Sequence, residues 1–420
     1  MIGSLGKSEL AAGSLTASLY QACMIFSLGL VSATIPMLAT SLGKDRNDHN
    51  SIQQILRHGF LTAFIICLPF WLLMWHAESL WLALGQNPDT ALLAKKYIHS
   101  IQWSLLPYLG YIVLRSFFAA LEKPLWTLIV AVGGIVINAL LGWILIFGYL
   151  GLPALGLVGA GIATTITNIS MFIGMLLLVY KHPLFKQYKI FTQFLHWNWQ
   201  QLYQMWKLGI PIAITFTLET LVFYAAVIMM GIIGDTSLAA HAIAMQISSV
   251  SYMIPLGFGQ VATIRVGLAM GKAKPHDAVQ AGWVSYGLGV GFMALAAGVM
   301  WLAPESLIQF FIDINAPENR AVIITATQFL FFAALFQITD GAQAVAAGML
   351  RGLYDTRTPM LLALLGYWVL GVPIGAFLAF VLDMEGVGIW IGFVTGLSVV
   401  AVLLTLRWWR HGQRLLTRKA

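Results

Sequence analysis

Eleven apolar runs, each long enough to cross about 30 Å of hydrocarbon, dominate the chain, near residues 14–42, 57–77, 94–120, 125–148, 157–181, 208–233, 237–270, 281–303, 321–350, 360–382 and 386–408. A backbone in lipid must satisfy its own N–H and C=O groups, so runs of this length and composition predict helices. The expected fold class is an all-α polytopic membrane protein. Only 9% of the residues are charged and 59% are hydrophobic, against about 25% charged in a soluble domain. The formal net charge of +7 would suit nucleic acid only if the basic residues formed one patch. They lie instead in short clusters between the apolar runs, which excludes a nucleic-acid partner and makes the lipid bilayer the expected one. Cys23 and Cys67 both fall inside apolar runs, where free cysteine behaves as a small hydrophobe, so neither a disulfide framework nor a zinc site is expected. The first run is too long for the apolar core of a signal peptide, so the chain is expected to be retained whole.

Basic residues concentrate in alternate loops: Lys44, Arg46 and Arg57; Lys123; Lys181, Lys186 and Lys189; Lys272 and Lys274; Arg351 and Arg357; and Arg407, Arg410, Arg414, Arg418 and Lys419. By the positive-inside rule these loops and the C-terminus are cytoplasmic, as in a multi-pass protein of the inner membrane. The chain also repeats itself. GSLGKSELAAG at 3–13 aligns with GIIGDTSLAAH at 231–241, and the same register lays Leu28-Gly29 on Leu256-Gly257. Slightly shifted registers, one residue apart, lay Arg115 on Arg351 and Pro124 on Pro359. Two halves in the same order and orientation predict two pseudo-symmetric helical lobes, as in transporters whose halves rock about a midplane site. The expected domains are an N-lobe at 1–181, a cytoplasmic linker at 182–207 and a C-lobe at 208–420. A full helix stands before Gly231 while only Met1 and Ile2 stand before its mate Gly3. Five helices are thus expected in the N-lobe and six in the C-lobe, with a further apolar helix expected upstream.

Two carboxylates lie deep in apolar runs: Glu219 and, within FFAALFQITDGAQAVAAGML, Asp340. A charge at the centre of a spanning helix costs about 2.5 to 3.5 kcal/mol on insertion scales, so an intramembrane acid marks a functional site. Thr215 lies one turn before Glu219, and Gln337 and Gln343 lie three residues either side of Asp340, adding oxygen donors on the same helix faces. Such a group can hold a hard cation or a proton. The bland alternative is that each acid hydrogen-bonds a neighbouring helix. Asn138 and Asn168 are polar residues of the N-lobe interior, read either as inter-helix hydrogen bonds or as a polar site. Arg115 and Arg351 close equivalent spans and read as snorkelling anchors, with an inter-helix gate as the alternative.

Other motifs carry less. GSLGKS at 3–8 lacks the upstream glycine and strand of a phosphate-binding loop. DRND at 45–48 resembles half of a metal-diphosphate motif, and no second acidic motif faces it. GFGQVA at 257–262 lies within a span, where its glycines suit close helix packing. No catalytic constellation emerges, so an enzyme is not expected.

Taken in order, GSLGKSELAAGSL, GLVGAGIAT at 156–164, PLGFGQVATIRVGLAMGK at 255–272, ITDGAQAVAAGMLRGLYDTRTPM at 338–360 and YWVLGVPIG at 367–375 resemble the multidrug and toxic compound extrusion (MATE) transporters, most closely their NorM-like bacterial branch. The resemblance implies two six-helix lobes, an alternating-access cycle and export of small cationic drugs or dyes in antiport with Na⁺ or H⁺, without an organic cofactor. It carries the family's C-lobe acid pair onto Glu219 and Asp340, which become the metal ligands if Na⁺ is the coupling ion. A monomer is expected. The family's N-lobe acid lies on a helix with no counterpart here. The alternatives are a lipid-linked sugar flippase of related architecture and a truncated, transport-incompetent homologue.

Overall fold

The computed structural model describes residues 3, 5–149, 151, 153–190 and 198–417. Arg418 and Lys419 of the basic C-terminal group, and residues 191–197 of the expected linker, lie outside them. Among the described residues the chain is helical and contains no strand. Seventeen α-helices follow one another: α1 (Lys7–Val31), α2 (Thr34–Lys44), α3 (His49–Trp75), α4 (Ala77–Ala83), α5 (Pro88–Ile101), α6 (Leu105–Ala120), α7 (Pro124–Phe147), α8 (Gly156–Lys181), α9 (Pro183–Lys186), α10 (Trp199–Ile233), α11 (Asp235–Gly271), α12 (Pro275–Leu302), α13 (Pro304–Ile308), α14 (Arg320–Gly352), α15 (Arg357–Ala363), α16 (Val372–Phe380) and α17 (Glu385–Thr417). A 3₁₀ turn, Gln102–Ser104, joins α5 to α6, and a π-helical stretch, Leu364–Gly371, joins α15 to α16.

Ten helical segments among the described residues are long and apolar enough to cross a membrane, one fewer than the eleven runs. The difference lies at 94–120. Pro107 has no N–H to offer the carbonyl of Trp103, and its ring would collide with that carbonyl in a continuous helix. The run therefore breaks at Gln102–Ser104 and leaves α6 with 16 residues. Side chains take up carbonyls around the break: Thr165 Oγ1 donates to Ser100 O (2.9 Å), Trp71 Nε1 to Gln102 O (2.9 Å) and Asn168 Nδ2 to Ser104 O (3.4 Å).

The chain divides into two compact units, one of Met1–Leu42 and Arg46–Ala213, the other of Gly43–Asp45 and Ile214–Ala420. The division falls within α10. Each unit keeps the mark of the repeat at the start of its long helix. Gly6 precedes α1 with φ 144° and ψ 171°, and Gly234 precedes α11 with φ 147° and ψ 168°. This region of backbone space is essentially glycine's alone, which explains why the motif keeps a glycine at both places. The Asp48 carboxylate of DRND caps α3, accepting from Ser51 N at 3.1 Å.

In the second unit α14 runs unbroken for 33 residues between α11, α12 and α17. Gly259 and Gly348 let α11 and α14 touch backbone to backbone: a Cβ on Gly348 would stand 2.1 Å from Gly259 O. Thr263 Oγ1 then reaches Gly348 O at 2.8 Å. The glycines of GFGQVA thus serve close helix packing. Trp390, Phe393, Phe329 and Phe336 pack on one another in the core of this unit.

Candidate functional site

Glu219 on α10 and Asp340 on α14 stand on faces that meet. Phe223, one turn beyond Glu219, packs edge to face on Phe336, one turn before Asp340, with ring centroids 6.1 Å apart. Residues one turn apart share a helix face, so the aromatic contact brings the two acids to one place, near enough to interact electrostatically. Asp340 is 3% exposed, and its Oδ1 has no hydrogen-bond partner among the described residues. Glu219 is half-buried and accepts a hydrogen bond from Tyr252 Oη at 3.1 Å. A carboxylate oxygen held out of water without a donor is costly. A cation or a proton would supply what Asp340 lacks.

The other expected donors divide. Gln337 is engaged: Ser251 Oγ donates to its Oε1 (2.7 Å), and its Nε2 donates to Met293 O (3.4 Å). Gln343 is buried with its Oε1 unpartnered among the described residues. Thr215 is buried one turn before Glu219. Three side chains join the site that the sequence reading did not assign to it. Tyr252 contributes the hydrogen bond to Glu219. Tyr367, 2% exposed, lies within electrostatic reach of both acids. It is delivered by the π-helical stretch, a form of helix that recurs at functional sites, and the next residue, Trp368, donates its indole N–H to Leu218 O at 3.2 Å. The third is Arg351. Its guanidinium stands over the ring of Phe216 at 5.2 Å, within electrostatic reach of Glu219 and Tyr252. The segments YWVLGVPIG at 367–375 and ITDGAQAVAAGMLRGLYDTRTPM at 338–360 carry Tyr367 and Arg351.

No group of three His, Cys, Asp or Glu side chains suited to a metal ion occurs among the described residues. The donors gathered in the second unit are carboxylate, amide and phenol oxygens, a set that suits a hard cation or a proton rather than a soft, thiolate-seeking metal.

In the first unit, Asn138 Nδ2 donates to Thr167 Oγ1 at 3.3 Å, and Asn168 is committed to the Ser104 carbonyl. Both line a cleft of about 800 Å³ with Tyr97, Thr164 and Met171. No carboxylate is among its described lining residues.

The family model described as MatE matches residues 1–144 and 211–377. The chain belongs to the MatE family. It is 54% identical over 410 residues to the Probable multidrug resistance protein NorM of Brucella suis biovar 1 (strain 1330), covering 98% of this chain and 87% of that relative. It is 48% identical over 411 residues to the protein of the same name from Mesorhizobium japonicum, covering 98% and 88%. Among solved structures, the fold resembles the crystal structure of a eukaryotic MATE transporter (TM-score 0.85, 23% identity, 100% of this chain and 92% of that one). It is also similar to the outward-facing conformation of a multidrug resistance MATE family transporter of the MOP superfamily (TM-score 0.86, 17% identity, 99% and 90%). At such identities these likenesses establish the all-helical MatE fold, and the acid pair described above lies within the matched span of the chain.

Proposed function

We propose that this MatE protein is a secondary active multidrug exporter of the inner membrane, its C-terminus cytoplasmic, expelling cationic amphipathic compounds in antiport with Na⁺ or H⁺. The observation that carries this reading is Asp340, buried in the middle of α14 with an unpartnered Oδ1 and facing Glu219. A site of two carboxylates and neutral oxygens attracts cations, and the coupling ion and the exported cation would compete for it. The name of both relatives, Probable multidrug resistance protein NorM, supports the same reading. Moving one charge through about 100 mV supplies about 2.3 kcal/mol, on the order of a 50-fold drug gradient. The chain would then need no organic cofactor and no ATP, and would work as a monomer whose lobes, 1–181 and 208–420, are joined through 182–207.

The test is ethidium efflux from cells matched for membrane content of the protein. Asp340→Asn keeps side-chain shape while removing the exchangeable charge. Efflux should fall to the level of cells without the protein, and near-normal efflux would remove Asp340 from the mechanism.

A further inference from the structure

The acid pair is accompanied by a positive charge that the exchange mechanism leaves unused. Arg351 sits in the last turn of α14, and its guanidinium lies 5.2 Å from the centroid of the Phe216 ring on α10. Phe216 is three residues before Glu219 and therefore on the same helix face. Tyr252, which donates to Glu219 Oε1 at 3.1 Å, also lies within electrostatic reach of the guanidinium. An aromatic ring attracts a cation to its face, more strongly away from water. A planar guanidinium over such a ring, with a carboxylate one turn further, imitates the features an exported aromatic or quaternary cation would offer. The formal charges agree: two carboxylates less one guanidinium leave the site a single net negative charge, the amount that one monovalent ion neutralises.

We propose that Arg351 is a tethered cation that occupies the Phe216–Glu219 end of the site and is displaced when an exported cation binds there, leaving Asp340 to the coupling ion. This rests on the export reading above and deepens it. The tether explains why the chain keeps an arginine where a spanning helix would be cheaper without one. A guanidinium stacks on a ring in a way that a lysine ammonium does not reproduce.

The experiment is equilibrium binding of tetraphenylphosphonium to the purified full chain in lipid nanodiscs, paired with ion-driven dye transport in liposomes. Removing a built-in competitor should make Arg351→Gln bind the probe about tenfold more tightly, in keeping with a desolvated cation–π contact, while transport falls because release loses the returning cation. Arg351→Lys should lie between. A residue that merely holds the helices together would lower binding and transport alike, so unchanged or weaker binding by Arg351→Gln overturns the proposal. If that variant does not accumulate, Arg351→Lys decides. It removes the stacked guanidinium but leaves the Phe216 ring for the probe, so binding should tighten about threefold, and no tightening overturns the proposal. Asp340→Asn in the same assay separates this from the broader reading: if it exports dye normally, the export mechanism itself fails, whatever Arg351 does.

Discussion

The two units share a repeat and differ at the point that matters for function. The register that lays Arg115 on Arg351 also lays Ser104 on Asp340, and the unbroken α14 of the second unit corresponds to the interrupted α5–α6 of the first. Where the second unit places a buried acid, the first places a helix break, and Ser104 shares a 2.5 Å hydrogen bond with Tyr20 while its carbonyl accepts from Asn168. The glycine crossing diverges too. Gly259 and Gly348 correspond to Val31 and Ile112, both buried, so the first unit cannot bring its backbones as close. In the first unit side chains take up the freed carbonyls, although the buried Gln102 amide has no partner among the described residues; in the second the unpartnered oxygens beside the acid pair are those of Asp340 and Gln343. Duplication supplies two similar scaffolds, and the two intramembrane acids, Glu219 and Asp340, both lie in the second.

That comparison can be broken by making the units alike. Ser104→Asp puts an acid into the first unit without an arginine or tyrosine arranged for it. The insertion cost of about 2.5 to 3.5 kcal/mol should appear as sharply reduced accumulation in the membrane, read by quantitative immunoblot; normal accumulation would show that the first unit also accommodates a buried carboxyl. Gly348→Ala sharpens the packing half of the contrast. Its methyl would meet the Gly259 carbonyl, and overpacking of this kind costs about 1 to 3 kcal/mol. A lower thermal midpoint in detergent is expected, whereas Ile112→Ala, removing volume instead of adding it, should lower it by leaving a cavity. The smallest effect belongs to Asn168→Ala. Inter-helix hydrogen bonds in membranes average about 0.6 kcal/mol, so melting should shift slightly and dye export should stay near normal; abolished export would move the first unit into the mechanism.

Much of the fold is legible in the sequence. Apolar length alone announces the spans, because hydrocarbon leaves the backbone no alternative to helix, and charges within spans are conspicuous enough to single out Glu219 and Asp340. Hydropathy averages over Pro107, whose effect is steric and local, so the run at 94–120 gives no sign of the 3₁₀ turn that divides it. Tyr252 and Tyr367 were hidden for a different reason. An aromatic residue in a spanning helix is by default packing, and only the π-helical stretch at Leu364–Gly371 and the hydrogen bond to Glu219 distinguish these two. Arg351 was visible as a charge at a helix end, but which way a long flexible side chain turns is set by what stands beside it, here Phe216. Gln337, plausible as a donor from its spacing, is committed to Ser251 and Met293, a fact that depends on helices distant in sequence.

The central claim is that Glu219 and Asp340 act as one site. The most direct measurement is a double-mutant cycle on ion-driven dye transport in liposomes, comparing Glu219→Gln, Asp340→Asn and the pair with the unaltered chain at equal reconstitution. Residues serving one site are strongly non-additive, so each single change should abolish most of the transport and the double change should cost little more than either. Transport near the unaltered rate in Asp340→Asn, or two partial losses that multiply in the double variant, would contradict the account.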